Sequence, residues 1–481
     1  MKRLLPLALL TASAACTTVG PAYVAPTPLA GEGGWVEPAQ AGAVDPAWWS
    51  AFGDPLLSRL VERALTEAPS LAEAEARLAE ARASRAAVTG ARLPQVSASG
   101  SAVENRISEN GQFPVDRIPG FPTDFSLFDV GFDASWELDL WGRTDRAIEA
   151  AEARIGAAEA GRDAVLVSLA AEVARSYLDL RVAQAQAHTA SETRDARGEL
   201  ARLAQLLADA GEGNALDAAS AAAAYEASAA EPLRAEARAA AAAYRIAALL
   251  GEPPEAVAGE LLAPAPIPAA PDAIMAGIRS DLLRRRPDIR QAERALAAAT
   301  AGIGVATADL FPSFSLLGGI GVQSRSLDGL VDPGSLRLAI GPSFSWPIFS
   351  GGRIRAQIAE ADARAQGAAA AYDRAVAEAL ADSETAINRW LAARAAEDSA
   401  RAALDRQASA FALARLRQER GEDSRLALEQ AHLPLIASQR ALADAEGASA
   451  SAAVALYKAL AGGFGEGPPG QARLASPPAQ P

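Results

Sequence analysis

The sequence has few of the side chains on which catalytic and metal sites depend. Its 481 residues include two histidines, two methionines and one cysteine. His188 and His432 stand alone in separate helical stretches, which argues against a zinc site or a histidine-based triad. One cysteine allows no internal disulfide, and Met1 and Met275 make no thioether ladder for soft metal ions. We therefore predict no enzyme activity, no cofactor and no metal site.

The chain also lacks an excess of basic charge and long apolar runs. The net charge is −14 and the isoelectric point is near 4.9, which argues against a nucleic-acid partner because phosphate binding needs a basic face. Beyond the N-terminus no run of 18 apolar residues marks a membrane-spanning helix. Aromatic residues make up only 5% of the chain, and abundant Ala, Glu, Arg and Leu favour long helices in close contact. A membrane role would therefore need a covalently attached lipid or membrane-spanning strands.

The N-terminus carries such a lipid signal. Lys2 and Arg3 precede a short apolar run that ends in small residues, so residues 1–15 are predicted to be a lipoprotein signal peptide. Cys16 follows directly, and acylation is the natural use of a cysteine at this position. Two or three acyl chains, at about 0.8 kcal/mol per buried CH2 group, would anchor the protein permanently. Residues 16–46 lack periodicity and are predicted to be a lipidated extended tether.

A strand that runs directly into a long helix occurs twice. Residues 125–140 and 335–348 alternate apolar with polar side chains, which places all apolar groups on one face of each strand. A Gly-Arg pair closes each strand, and an Ala-rich helical pattern follows. The polar face of the first copy supplies four candidate lumen-facing carboxylates: Asp129, Asp133, Glu137 and Asp139.

These junctions belong to an internal duplication. A shift of 218 aligns Pro69 with Pro287, and a shift of 210 aligns Gly211 with Gly421. We predict two structural repeats, 47–262 and 263–465, and a disordered Pro/Gly-rich tail at 466–481. Each repeat contains helices, a strand pair and a long helical hairpin. The predicted strand pairs are about 95–105 with 125–140 and about 313–323 with 335–348, and the hairpins are about 143–250 and 353–462.

The repeat lengths predict a mainly α-helical protein with membrane β-strands. Arg143 to Gly211 and Arg353 to Gly421 each span 68 residues, which as a helix measures about 100 Å. Four strands are too few to close a barrel, but several chains together could close one. Polar faces would then line a lumen and apolar faces would meet lipid, while the helices extend from one rim.

Several motifs resemble the hallmarks of a known family. They are the RPDIRQAE stretch at 286–293, Gly302-Ile303-Gly304, the LFPS stretch at 310–313, and the two junctions at 136–143 and 346–353. Together they resemble the TolC-like outer-membrane efflux factors, and residues 16–23 are similar to the start of its lipidated NodT-type branch. The resemblance covers nearly the whole mature chain.

The resemblance implies an assembly and a role. It implies a homotrimer with a 12-stranded outer-membrane β-barrel and a periplasmic barrel of twelve helices, anchored through Cys16 to outer-membrane lipid. The implied partners are a periplasmic adaptor and an inner-membrane pump of the resistance-nodulation-division type. The implied function is a passive exit duct for small molecules, namely drugs, toxic compounds or metal ions.

The two hairpin turns, at the far end of the helices, are the candidate periplasmic gate. Charges repeated three times in a trimer could latch a constriction there, and apolar groups could dewet it. Our hypothesis is that Arg420 or Arg425 pairs with an acidic residue of the first hairpin. Alternatively, these are solvated charges around a turn. The candidates are Asp209, Glu212, Asp217, Arg417, Arg420, Asp423, Arg425, Leu426, Leu428, Glu429 and Gln430.

Two other functions fit parts of the pattern. An outer-membrane duct for type I protein secretion would share the whole architecture. A coiled-coil periplasmic adaptor or structural lipoprotein would also combine a lipid with long helices, but an adaptor has one hairpin flanked by β-rich modules. The sequence does not identify what is transported.

Overall fold

The computed structural model describes residues 18–27, 34–38, 42, 44–108 and 122–461. The predicted signal peptide, Cys16 and the predicted tail lie outside these described residues. Among the described residues, no helix has both the length and the apolar character needed to cross a membrane.

Two helices of 67 residues each dominate the chain. They are α3, Arg143–Asp209, and α9, Arg353–Glu419, and they begin at the Arg of each Gly-Arg pair. The equal lengths agree with the two hairpins expected from the duplication. The other α-helices of the described residues are α1, Pro55–Glu67; α2, Pro69–Gly90; α4, Ala215–Ser228; α5, Glu231–Leu250; α6, Pro254–Leu261; α7, Arg279–Arg285; α8, Pro287–Ala308; and α10, Arg425–Ala459.

The helix following the first turn is interrupted rather than merely kinked. The helical pattern of the sequence predicts a return helix over 216–250, with a kink at Pro232. Instead α4 ends at Ser228, and α5 begins at Glu231 with Pro232 in its first turn. Proline is tolerated there because the first-turn amides have no partner within the helix. In α10, by contrast, Pro434 lies inside a continuous helix.

In the part of the chain that the structure describes, four strands form one antiparallel sheet in the order β1-β2-β3-β4. Gln95 is the Cα partner of Ser135 in the first strand pair, and Ser313 is the partner of Ser345 in the second. The predicted strands were close to those observed, although β4 ends earlier than predicted. The strands are β1, Gln95–Arg106; β2, Asp124–Leu138; β3, Ser313–Ser324; and β4, Leu336–Ser345.

One face of this sheet is apolar and exposed within the chain. Phe132 is 59% exposed and Ile340 is 77% exposed, although both belong to the alternating pattern that normally faces a core. A contiguous exposed apolar face marks a surface that meets lipid or a partner. The same face carries Val96, Val130, Leu316, Ile320, Leu338 and Phe344.

The chain forms two compact units. Among the described residues, the first contains 18–26, 78–108, 122–157 and 292–372, and the second contains 27, 34–38, 42, 44–77, 158–291 and 373–461. Each unit therefore takes segments from both predicted repeats, and the repeat boundaries stay a prediction. In the second unit Trp48 stacks on Tyr457 at 5.1 Å in a core that includes the buried seam of α3, formed by Leu169, Val173, Tyr177 and Leu180.

Candidate functional site

The polar face of the sheet carries an ion pair between strands. Nη2 of Arg337, on β4, lies 2.8 Å from Oδ1 of Asp129, on β2. The amide nitrogen of Gln323 donates to the other carboxylate oxygen of Asp129 at 2.9 Å. Asp129 was predicted to add negative charge to a lumen. Because Arg337 neutralises it, Asp129 contributes less to that charge than the sequence suggested.

Glycines on the intervening strands make room for Arg337. Gly131, Gly321 and Arg337 form one row across β2, β3 and β4. A Cβ atom at Gly131 would lie 3.1 Å from Nη2 of Arg337, and one at Gly319 would lie 3.6 Å from Nη1. The run at 318–321 is therefore part of a crowded strand. It lets one guanidinium lie across three strands.

The three remaining carboxylates differ in their surroundings. Asp133 accepts a hydrogen bond from the Ser99 hydroxyl at 2.9 Å, and Glu137 is exposed near the end of β2. Asp139 was predicted to lie on the strand, but it lies beyond the last residue of β2. Its carboxylate accepts the backbone N–H of Asp145 at 2.9 Å. Asp139 therefore satisfies an amide of the first turn of α3, and its assignment to the lumen-facing strand was wrong.

Tryptophans fix both junctions between strand and helix. The indole N–H of Trp136 donates to the carbonyl of Arg92 at 2.9 Å, and that of Trp346 donates to the carbonyl of Leu310 at 3.0 Å. These two bonds occupy equivalent places in the duplication. Trp141 has no such counterpart, since Gly351 is its equivalent, and it donates to the carbonyl of Pro312 at 2.8 Å.

The N-terminal segment at 18–26, predicted as an extended tether, is extended but docked. The amide of Val19 donates to the carbonyl of Trp141 at 3.1 Å. Buried Arg146 donates to the carbonyls of Val19 and Gly20, both at 3.2 Å. Gly20, at φ +86°, lies so close to Gly304 that a Cβ atom would be 2.5 Å from the Gly304 Cα atom. The segment that follows Cys16 is thereby held beside the first junction.

Residues 34–38 of the predicted tether are also docked. The amides of Val36 and Glu37 donate to the two carboxylate oxygens of Glu384, at 2.9 and 3.3 Å. Glu384 also pairs with Arg279. Burial raises the pKa of Glu384, but the Val36 amide, the Arg279 guanidinium and the Glu37 amide outweigh this effect and leave the pKa below its ordinary value. The carboxylate therefore stays charged at neutral pH.

The RPDIRQAE stretch has a structural role. The Arg286 guanidinium donates to the carbonyls of Ala379 on α9 and Ala459 on α10, at 3.2 and 3.1 Å. It also forms a bidentate pair with Asp288. One mostly buried cation thus joins the start of α8 to two long helices. Arg290, one turn later, pairs with Asp163 at 3.0 Å.

The two hairpin turns have the same backbone. Gly211 and Gly421 both adopt the left-handed conformation, with φ +77° and +75°. Asn214 and Ser424 then cap the return helices by accepting N–H groups from Asp217 and Ala427, at 2.8 and 3.1 Å. Left-handed glycine followed by a polar cap is a common way to end one helix and begin the next.

Most charged gate candidates of the second turn have a partner in their own turn or helix. Arg417 pairs with Asp423 at 3.0 Å, and Arg425 pairs with Glu429 at 2.7 Å. Arg420 has no ion pair among the described residues. Within one chain, Arg425 therefore pairs in its own helix and not with one of the acidic gate candidates of the first hairpin. Arg202 and, to a smaller extent, Arg425 lower the pKa of Glu199 on the first hairpin, a residue that the sequence did not single out.

The remaining candidates separate by burial. Leu428 is buried within the chain. It therefore does not offer the free apolar surface that was expected of it as a gate residue. Leu426 is half-buried and Gln430 is exposed. Glu429 is buried between Arg425 and His432, which makes it a poor member of an exposed acidic ring. In the first turn Asp209 accepts from Gln205 and Asp217 accepts from Asn214, and Glu212 is exposed.

The histidines lie on helices as expected. His188 is exposed, and its Nε2 atom is 3.5 Å from Glu192. His432 stacks on Phe411 with ring centroids 4.8 Å apart. Among the described residues, no group of three or more His, Cys, Asp or Glu side chains is placed so that it could hold a metal ion.

Comparison with known proteins assigns this architecture. The family described as Outer membrane efflux protein matches residues 60–252 and 278–462. The chain belongs to the outer membrane efflux protein family. The predicted resemblance to the TolC-like efflux factors is thereby confirmed, and so is the expected combination of long helices with a four-stranded sheet.

Relatives within the outer membrane efflux protein family match nearly the whole chain. Pyoverdine export outer membrane protein OpmQ of Pseudomonas aeruginosa is 31% identical and covers 95% of this chain and 98% of its own length. Nodulation protein T of Rhizobium leguminosarum bv. viciae is 31% identical and covers 87% and 84%, which is consistent with the NodT-type branch. The solved structure of the outer-membrane channel OprN is 35% identical, with a TM-score of 0.81 over 93% of this chain and 99% of that one.

Proposed function

We propose that this chain, as a homotrimer, is the passive outer-membrane exit duct of a tripartite efflux system. The sheet is the observation that carries the proposal. It has one exposed apolar face, one polar face, and edge strands β1 and β4 that pair on one side only within the described chain. An open sheet of this kind needs further strands to satisfy its edges in a membrane. Three copies would supply twelve.

The other parts of the proposal follow from the docked segment and the long helices. Residues 18–20 lie against Trp141 and Arg146 at the first junction, so Cys16 would enter the lipid beside the barrel. The helical hairpins would form a periplasmic tunnel that meets a periplasmic adaptor and a resistance-nodulation-division pump. No nucleic acid, cofactor or catalytic step is part of this role.

The transported substrates would be small molecules. The relative OpmQ is named for pyoverdine export, and drugs, toxic compounds or metal ions are the other classes that such a duct could carry. The duct would supply a path and the pump would select the substrate. The polar face offers Asp133, Glu137 and the neutralised pair of Asp129 with Arg337, rather than a dedicated binding pocket.

Membrane fractionation tests this role. We expect the full-length chain in the outer-membrane fraction as a trimer that resists detergent at room temperature and separates into monomers on boiling. The physical reason is that a closed sheet satisfies every strand edge. A monomer that leaves the membrane when the lipid is removed would instead support an adaptor or a structural lipoprotein.

The gate hypothesis predicts a leaky variant. Arg420 is the turn cation without an ion pair among the described residues, so we propose that it pairs with an acidic residue of a first hairpin in the trimer. Arg420→Ser should open the constriction and lower the inhibitory concentration of a large hydrophilic antibiotic by roughly four-fold or more in cells. Arg406→Ser, farther from the turn on the same helix, is the matched control. Equal antibiotic sensitivity of the two variants and the wild type would contradict the gate.

A further inference from the structure

The duplication allows the two junctions between strand and helix to be compared position by position. The shift of 210 matches Arg143 with Arg353, and each begins a helix of 67 residues. The same shift matches Asp145 with Arg355, so that a base stands in the second junction where the first has an acid. The second junction thus repeats the fold of the first with a different surface.

The cations of the first junction are paired with acids. Nε of Arg143 lies 3.3 Å from Oδ1 of Asp309, and a second ion pair joins Arg92 to Asp145. The docked segment 18–26 covers part of the same junction. The surface of the first junction is therefore balanced in charge and partly covered by the chain itself.

The cations of the second junction are unpaired. Arg353 and Arg355 are exposed, the first turn of α9 contains no acidic residue, and neither arginine has an ion pair among the described residues. Arg353 donates a hydrogen bond to the side-chain oxygen of Gln357 at 3.0 Å. The equivalent of Asp309 under the shift of 218 is Ala91. A neighbouring copy in the position of that repeat would therefore supply no acid either.

Exposed apolar side chains lead up to these cations. Trp346 is 54% exposed, Ile348 is 85% exposed and Phe349 is 92% exposed. They follow directly after Phe344, which belongs to the exposed apolar face of the sheet. Contiguous apolar groups of this kind mark a contact surface, and tryptophan is enriched where a membrane meets water. The apolar face of the sheet thus continues into a segment that ends at two unpaired arginines.

The second junction is also more open than the first. Trp141 stacks on Phe311 at the first junction, with ring centroids 4.7 Å apart. Its equivalent at the second junction is Gly351, and a Cβ atom placed there would meet no atom within 4 Å beyond its chain neighbours. The space that an indole fills at the first junction is therefore left open by the described chain at the second.

We propose that the second junction binds a phospholipid with an anionic headgroup, in the periplasmic leaflet of the outer membrane. Arg353 and Arg355 attract the headgroup phosphate, for which guanidinium groups are well suited, and Ile348 and Phe349 contact the acyl chains. This inference rests on the proposed outer-membrane duct, which brings this level of the chain to the lipid. Each copy then has two lipid contacts, a covalent one at Cys16 beside the first junction and this one at the second.

Two other occupants fit this surface less well. An acidic protein segment would account for the unpaired arginines, but it would not account for an apolar surface that continues the membrane-facing side of the sheet. A neighbouring copy could cover Phe349, but the duplication gives it Ala91 and no acid to set against Arg353. A phospholipid supplies both the negative charge and the apolar chains.

Native mass spectrometry of the full-length trimer in neutral detergent tests the headgroup. The probes are dioleoylphosphatidylglycerol, which is anionic, and dioleoylphosphatidylcholine, which has no net charge. Residues two apart on a helix point about 200° apart, so the two arginines act as separate attractions. Each contributes about five-fold in affinity for an anionic lipid. Arg353→Gln with Arg355→Gln should therefore weaken binding of phosphatidylglycerol by about 25-fold and leave that of phosphatidylcholine unchanged.

Arg143→Gln is the matched control, because Arg143 occupies the equivalent position but is paired with Asp309. It should bind phosphatidylglycerol as the wild type does. Ile348→Ser with Phe349→Ser keeps both arginines and should weaken the binding of both lipids. Equal affinity of the wild type and the double arginine variant for phosphatidylglycerol would overturn the proposal, and so would an equal loss in Arg143→Gln.

A photo-crosslinking amino acid in place of Phe349 tests the occupant in cells. We expect its main adduct to be phospholipid. Covalent dimers and trimers would assign this surface to a neighbouring copy, and an adduct with another protein would assign it to a protein partner; either result overturns the lipid site. These failures leave a trimer in the outer membrane. A chain that is absent from that membrane overturns the proposed duct itself, so the two failures are distinguishable.

Discussion

Gly321→Ala is expected to abolish the detergent-resistant trimer. A Cβ atom at this position would lie 2.6 Å from the carbonyl oxygen of Val130 and 2.8 Å from the Cα atom of Gly131. Both atoms belong to the backbone of the neighbouring strand, so no side chain can move aside. Gly131 is the Cα partner of Gly321. An added Cβ atom would therefore force β2 and β3 apart at a point where hydrogen bonds hold them together. Overpacking of this kind costs about 1–3 kcal/mol per site, and a trimer carries three sites.

A neighbouring glycine provides the control for this variant. At Gly318, on the same strand, the nearest atom to an added Cβ atom is the Ala134 Cβ atom at 4.0 Å, which is ordinary contact. Gly318→Ala should therefore form trimers as the wild type does. The measurement is the yield of trimer in unboiled outer-membrane extracts and its dissociation temperature. Equal yield and equal dissociation temperature for the two variants would show that the close approach of β2 and β3 is not needed.

Arg337→Gln is expected to raise the cation preference of the channel. In the wild type the Arg337 guanidinium neutralises Asp129, 2.8 Å away. Its removal would leave three uncompensated carboxylates per trimer beside Asp133 on the polar face. A charged lining with low-dielectric walls concentrates counter-ions, so the ratio of cation to anion permeability should rise by about two-fold or more. The measurement is the reversal potential across a planar bilayer under a salt gradient.

A double-variant cycle separates charge from structure in this prediction. Asp129→Asn alone leaves Arg337 unpaired and should lower the cation preference. The double variant Asp129→Asn with Arg337→Gln has the charge balance of the wild type and should have a reversal potential close to that of the wild type. If all four proteins have the same reversal potential, the polar face of the sheet does not line the conducting path.

The sequence predicted the repeated architecture because its signals are local. Alternation of apolar and polar residues placed β1 and β2 close to their observed positions, and the Gly-Arg pairs marked the starts of α3 and α9. The same local signal could not show where a strand ends. Asp139 continues the alternation but lies past the end of β2 and binds an amide of the next helix.

Features that depend on distant residues were missed. Arg337 and Asp129 are 208 positions apart, and their contact requires the register of three strands together with Gly131 and Gly321. The docking of 18–26 had no sequence signal. This segment is rich in proline and glycine, and its backbone groups bind to Arg146 and Trp141, which are far from it in the sequence. The burial of Leu428 likewise depends on tertiary packing. Helical periodicity near a turn does not predict which side chains become buried.

Single-channel recording from the purified wild-type trimer in a planar bilayer tests the central claim most directly. The claim is that three copies enclose a continuous water-filled path through the membrane. We predict discrete current steps for the wild type, small because the proposed pairing of Arg420 narrows the periplasmic end, and larger steps for Arg420→Ser. A trimer that inserts into the bilayer but gives no current steps, in the wild type or in Arg420→Ser, would contradict the assignment of this chain as a duct.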